Sequence, residues 1–284
     1  MGTDRAAQEV TLGDSAIQGK ATVCVVNYKT LDLTRLCLRS LRRYTDYPCE
    51  VIVVDNNSQD ASLEYLRRLS WITLIERRPD IPDPSGAHAH GAALDVGLGH
   101  CRTEFFVALH SDSVIVGPGW LTGLIGYFEQ DPAVACVGGD KIELKPRWQI
   151  LLKRATDLKA LRRRLFADPA ALRRYRRFNR TICSVYRTEI LRREQLSFEP
   201  DPGRRLTVGQ SLYFELQDRG YRVVELQESL MRRYVVHLAH ATQVINAGEF
   251  AIGRSSAGRW HRIVERRLAS NSIQNLLQDD SLDR

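Results

Sequence analysis

Three uninterrupted apolar runs, each ending abruptly in a polar cluster, constrain this chain more than any other feature. Residues 21–26 (ATVCVV) stop at Asn27-Tyr28-Lys29-Thr30, residues 51–54 (VIVV) at Asp55-Asn56-Asn57-Ser58, and residues 105–109 (FFVAL) at His110-Ser111-Asp112-Ser113. Short runs that are apolar at every position predict strands buried on both faces, as in parallel sheets. Between them, Leu31–Tyr44 repeats Leu33, Leu36, Leu38 and Leu41 among arginines, which is a helical period. Residues 61–69 read as a second helix, 71–76 as a strand, and 91–99 as a helix of small residues. Residues 81–86 (IPDPSG) form a loop by their Pro and Gly content. The alternation predicts an α/β, Rossmann-like, mainly parallel sheet flanked by crossover helices, in a single domain. In such sheets ligands bind beyond the carboxyl ends of the strands, where all three polar clusters fall.

The second half is less regular. Residues 134–137, 181–186 and 221–226 read as strands, and 211–219 as a helix stopped by Gly220. Residues 235–240 (VVHLAH) carry His237 and His240 beside another apolar run. With 284 residues, 43% hydrophobic and 26% charged, the chain has material for a substantial core. It contains no apolar run of the roughly 18 residues that a membrane span needs. Residues 1–20 read as a flexible polar tail without a secretory signal core, and residues 253–284 as a polar C-terminal tail. Six cysteines without a C-x-x-C pair argue against structural zinc and suit a reducing cytoplasm.

The net charge of +7 is concentrated in one place. Residues 153–180 hold 11 Lys/Arg against two Asp, a local +9 that leaves about −2 for the rest. Leu158, Leu161, Leu165 and Phe166 recur there at helical spacing opposite arginines, an amphipathic pattern suited to an anionic lipid surface. Tyr175 and Phe178 alternate with five arginines further on. The alternative is a solvated helix packed by its leucines. An acceptor-binding or membrane-surface role is favoured over nucleic acid, because no nucleic-acid-binding motif accompanies the charge.

His110-x-Asp112 at a strand end places two metal-ligand types at the lip of a sheet; the bland alternative is an ordinary Asp/Ser turn. Likewise Asp55-Asn56-Asn57-Ser58 can be an Asx turn leading to an N-cap at Ser58 or Asp60. The ordered set TVCVVNYKT, VIVVDNNSQD, GAALDVGL, FFVALHSDS, VACVGGDKI and TICSVYRTEIL resembles the family 2 glycosyltransferases, over roughly residues 21–240. That resemblance implies a GT-A fold with a nucleotide-sugar-binding half (21–145), a basic helical insertion (146–180) and an acceptor half (181–252). It implies a UDP- or dTDP-sugar donor, a glycan, glycolipid or small-molecule acceptor, and Mn2+ or Mg2+. Carried over by position, Asn27, Tyr28, Asp55, Asn57 and Ser111 bind the nucleotide, with Asp55 reading the base. Asp112, His110 and His237 hold the metal, His240 being a weaker candidate.

The chain departs from the family pattern twice. His110 stands where an Asp or Asn is usual, and imidazole suits transition metals better than Mg2+. Val208-Gly209 stand where inverting members carry the Glu-Asp pair whose Asp takes the acceptor proton. Asp201, in FEPDPG, is the substitute candidate for that base; Glu199 and Glu215 are nearby. Two rival readings stay open on sequence: a non-catalytic nucleotide-binding scaffold, and a nucleotidyltransferase, for which NYKTLDL lacks a Gly-rich phosphate loop. The implied location is cytoplasmic, peripheral to the inner face of the membrane through residues 153–180.

Overall fold

The computed structural model describes residues 16–140, 178–201, 206–238, 241–242, 246, 265–266 and 268–284. The expected alternation is present: β1 (Ile17–Asn27), α1 (Leu31–Tyr44), β2 (Cys49–Asp55), α2 (Ala61–Arg67), β3 (Ile72–Glu76), α3 (Gly86–His100) and β4 (Thr103–His110). There follow β5 (Ser113–Ile115), α4 (Trp120–Gln130), β6 (Val134–Gly139), β7 (Cys183–Arg187) and α5 (Thr188–Arg193). The C-terminal part adds α6 (Gln210–Asp218), β8 (Arg222–Leu226), α7 (Glu228–Tyr234), β9 (Val235–His237) and α8 (Asn271–Gln278). Seven strands form one sheet in the order β3-β2-β1-β4-β7-β6-β8. All its pairings are parallel except those of β7, which runs antiparallel to both β4 and β6. The mainly parallel α/β reading is therefore correct.

The register explains why the polar clusters converge. Asn27 pairs with Asp55 and Val26 with His110, so β1, β2 and β4 end side by side. Their all-apolar runs are covered on both faces, by α1 and α4 on one side and α3 and α5 on the other. A small second sheet pairs β5 with β9 antiparallel, with Ser113 opposite His237. That pairing brings a residue near position 240 beside the end of β4, which local sequence cannot encode.

α3 begins five residues earlier than the small-residue run suggests, because Ser85 caps it by accepting from His88 N at 3.3 Å. The small residues answer to packing. A Cβ on Gly91 would stand 2.8 Å from Glu199 Cα and Phe198 O, backbone atoms that cannot swing aside. Asp95, one turn on, holds the same segment by accepting from Phe198 N at 2.8 Å and Ser197 Oγ at 2.6 Å. Burial raises the Asp95 carboxyl above its usual range, and these bonds pull it back.

Within the stretch read as a polar C-terminal tail, residues 271–283 form a helix and a turn. Ile273 and Leu276 of α8 are buried against Leu33 and Leu36 of α1, against Val114 of β5 and against Leu238, which follows β9. A 3-10 turn, Asp280–Asp283, follows. The helix docks because two apolar side chains three residues apart share one face, and because α1 offers a buried cation. Arg39 of α1, 2% exposed, pairs with Asp280 and with Asp283 at 2.5 Å, and donates to the Leu276 carbonyl at 3.3 Å and to the Leu277 carbonyl. Among the described residues no helix is long and apolar enough to cross a membrane. The basic run up to residue 177 lies outside them, as does His240.

Candidate active site

An open cleft of about 1360 Å³ lies across the carboxyl ends of β1, β2 and β4. Tyr28, Asn57 and Ser58 form one wall, and His90, His110, Ser111, Asp112 and His237 line it more centrally. Phe178, Arg180, Thr181, Thr207 and Val208 line the other side.

The loop after β2 is held from behind. Asn27 and Asp55 are 0% and 1% exposed and lie off the cleft wall. Asn27 Nδ2 donates to Asp55 Oδ1 at 2.7 Å and to Ser62 Oγ at 2.8 Å, while its Oδ1 accepts from Thr34 Oγ1 at 2.7 Å. Asp55 Oδ2 accepts from Ser58 N at 3.0 Å. Asp60 caps α2 by accepting from Ser62 N at 3.0 Å. The turn chemistry read from sequence is thus present. A satisfied buried network of this kind holds its members to one geometry. It presents Asn57, at φ +63°, and Ser58 toward the cleft. Asn is one of the few residues besides Gly that adopts the left-handed region readily, which suits it to this turn.

The strand end of β4 delivers the second cluster. Asp112 is 6% exposed and His237 8%. Asp112 Oδ1 lies 3.0 Å from His237 Nε2 and 3.7 Å from His110 Nδ1. One ligand atom from each of His110, Asp112 and His237 lies within 4.8 Å of the others, close enough to share an ion. His110 Nε2 meets Thr181 Oγ1 at 3.1 Å, which leaves Nδ1 for the centre. Leu238 N donates to Asp112 O at 2.8 Å, tying the two strands of the small sheet together. Burial by itself would raise the Asp112 carboxyl; the His237 charge and the hydrogen bonds of both histidines outweigh it and hold the group well below the usual carboxylate range. Asp112 therefore stays anionic, as a metal ligand must. Two imidazoles and one carboxylate suit a divalent ion, which would offset charge building on a departing diphosphate.

Among the described residues 178–208, those that line the cleft include no carboxylate. Thr207 and Val208 line it, and Gly209, at φ +73°, begins α6. Asp201 lies off the wall, with its backbone N–H on Ser211 Oγ at 3.4 Å. Arg180 stacks over Phe178 at 4.8 Å and pairs with Asp140 at 3.2 Å.

One residue of the cleft is not among those the sequence singles out. His90 lies in the first turns of α3, ahead of the small-residue run, and its half-buried ring meets His110 edge-on at 4.8 Å between centroids. Burial, then the nearby His110, push its pKa down to about 3, so the ring is neutral. The only sequence signal is its place just ahead of the small-residue run, in the helix that packs on the sheet.

Residues 22–194 match the family model described as glycosyl transferase family 2. No curated protein sequence matches the chain. Among solved structures, the mannosyltransferase PcManGT from Pyrobaculum calidifontis, in complex with GDP-Man and Mn2+, superposes with a TM-score of 0.54 at 20% identity, over 93% of this chain and 74% of its own. TarS 1–349 from S. aureus, in complex with UDP-GlcNAc, gives a TM-score of 0.50 at 16% identity, over 91% of this chain and 70% of its own. The strand order, the cleft beyond the strand ends and the extent of the family match lead to one assignment: the chain belongs to glycosyl transferase family 2 and is built on a GT-A fold.

Proposed function

We propose that this glycosyltransferase moves a sugar from a UDP- or dTDP-sugar to a hydroxyl of a glycan, glycolipid or small-molecule acceptor, with inversion at the anomeric carbon. The observation that carries the proposal is the buried Asp112 carboxylate, 3.0 Å from His237 and flanked by His110, on the same cleft as the loop after β2. In this reading Asp112, His110 and His237 hold Mn2+ or Mg2+ against the donor diphosphate. Tyr28, Asn57 and Ser111 contact the nucleotide, while Asn27 and Asp55 act from behind by fixing the loop that meets the base. Residues 21–145 serve the donor and 181–252 the acceptor. The unpaired cysteines and the basic run 153–180 support a cytoplasmic enzyme docked on the inner face of a membrane. GDP-Man in the PcManGT complex and UDP-GlcNAc in the TarS complex support a nucleotide-sugar donor without choosing its base.

A melting-temperature screen of UDP, dTDP and GDP sugars, with and without Mn2+, tests this. A ligand at 100 times its dissociation constant stabilises the fold by about 2.7 kcal/mol. A shift that needs both metal and a uridine or thymidine nucleotide is expected; no shift with any nucleotide would refute the donor site. Asp201 is the proposed general base, because its backbone N–H meets Ser211 Oγ of α6, the helix that follows the cleft residues Thr207 and Val208, and Asp95 holds the stretch before it. Asp201→Asn is expected to cut turnover by about 10²- to 10⁴-fold while leaving the donor-induced shift intact. Unchanged turnover removes Asp201 from the mechanism.

A further inference from the structure

Among the described residues, Arg180 is the one arginine that lines the cleft. It shares its wall with Phe178, Thr181, Ile182, Thr207 and Val208, where the described residues supply no acid. The side chain is held from behind. Nε donates to Asp140 Oδ1 at 3.2 Å, and Asp140 itself lies off the wall. The guanidinium carbon stacks 4.8 Å from the centroid of Phe178, a buried ring that packs with Tyr213 and Phe214 of α6. The backbone is pinned as well: Arg180 N donates to Gly139 O at 2.9 Å, and Arg180 O accepts from Ser184 Oγ at 2.7 Å. Asp140 is the guanidinium's one acceptor among the described residues, which leaves the two terminal nitrogens, Nη1 and Nη2, for another.

We propose that Arg180 determines acceptor specificity: its fork binds a phosphate or carboxylate group of the acceptor, so that the enzyme glycosylates a hydroxyl of an anionic molecule. The inference rests on the glycosyl-transfer reading above and narrows its acceptor class. A planar guanidinium stacked on an aromatic ring is pre-organised to grip an oxyanion with two parallel hydrogen bonds. A neutral glycan offers the fork only single, uncharged hydroxyl oxygens. The bond to Asp140 does not saturate it, because a lone pairing between groups 39% and 32% exposed contributes little. The donor diphosphate is the other anion expected in the cleft, and position separates the two. Arg180 leads into β7, whereas Tyr28, Asn57 and Ser58 follow β1 and β2, on the far side of β4 in the strand order. Thr181, next along the chain, meets His110 at 3.1 Å, so an anion on the fork stands beside the donor centre rather than in it.

The test uses the full chain saturated with UDP and Mn2+, so that the donor site is filled, and reads melting temperature against probe concentration. The probe is glycerol 3-phosphate, which joins hydroxyls to a phosphate; the control is glycerol with NaCl at the same ionic strength. In the wild type the probe is expected to raise the melting temperature further and the control to leave it unchanged. In Arg180→Gln the apparent dissociation constant for the probe should weaken by about 10- to 100-fold, the scale of hydrogen bonds to a charged group. Arg180→Lys should recover only part of it, since an ammonium keeps the charge but not the fork. The shift caused by UDP itself should be equal in all three proteins. A wild type that does not respond to the probe overturns the proposal without any variant. So does equal probe affinity in Arg180→Gln, or a UDP shift that shrinks there, which would give the fork to the donor. The probe is titrated without UDP as well. A wild type that ignores UDP but takes the probe through Arg180 refutes the donor reading and leaves the fork in place.

Discussion

Replacing Asp112 by asparagine is expected to abolish the metal-dependent part of donor binding and to lower turnover by about 10²- to 10³-fold or more, the scale seen when a single preorganised charge stabiliser is removed. The substitution keeps the shape of the side chain and removes its charge. His237 and His110 then face a neutral amide, and an ion held by two imidazoles has no anionic partner from the protein. The apo-protein should weaken as well, by about 1.5–3 kcal/mol, because His237 Nε2 loses a buried charged acceptor at 3.0 Å. Donor-induced melting shifts with and without Mn2+, set beside initial rates, check both statements. Unchanged donor affinity and rate would remove Asp112 from the centre.

Arg39→Ala is expected to lower stability by about 1.5–3 kcal/mol, the range for hydrogen bonds to a charged group, because Arg39 is buried while Asp280 is 85% exposed. For a domain of this size that is a fall in melting temperature of roughly 5–10 °C. Arg39 meets Asp280, Asp283 and the last carbonyls of α8 together. Deleting it leaves Asp283, which also accepts from Tyr65 Oη at 2.8 Å, and those carbonyls without the guanidinium that donates to them. α8 supports Val114, two residues after Asp112, and Leu238, next to His237, so metal affinity should fall with it. The pH dependence has a definite sign. Burial would raise the Asp283 carboxyl, but Arg39 and Tyr65 hold it below its usual value. A depressed folded-state pKa contributes stability that is present above the unfolded value of about 3.9 and is lost as pH falls through the folded value. Wild-type stability should thus drop in acid below about pH 4, and part of that drop should be missing in Arg39→Ala. A melting change under about 2 °C, which corresponds to less than about 1 kcal/mol, would show that the clasp contributes little.

The sheet is legible in the sequence because its strands are buried on both faces, so they are apolar at every position and their ends are marked by the first polar residue. α1 is legible to the residue, Leu31 to Tyr44, because one face is Leu and the other Arg. The turn after β2 is legible too, since Asp and Asn side chains bond their own backbone locally. Direction and depth leave no such mark. Asp55 marks the strand end in the sequence, but its 1% exposure and its bonds to Asn27 and Ser58 are visible only in the fold. α8 reads as tail because it brings just two buried apolar side chains, and its docking depends on Arg39, more than 230 positions away along the chain.

The family resemblance was carried by an ordered set of motifs, and the strand–helix alternation of the donor half and the His110-x-Asp112 strand end were determined by sequence alone, through periodicities and turn chemistry that act within a few residues. Tertiary structure decided the rest: that β9 returns to set His237 opposite Ser113, that His90 joins the same cleft from α3, and that the C-terminal helix braces the strands beside it. The physical reason is that these contacts join residues brought together only when the sheet closes, and a pattern read along the chain carries no record of distance through space.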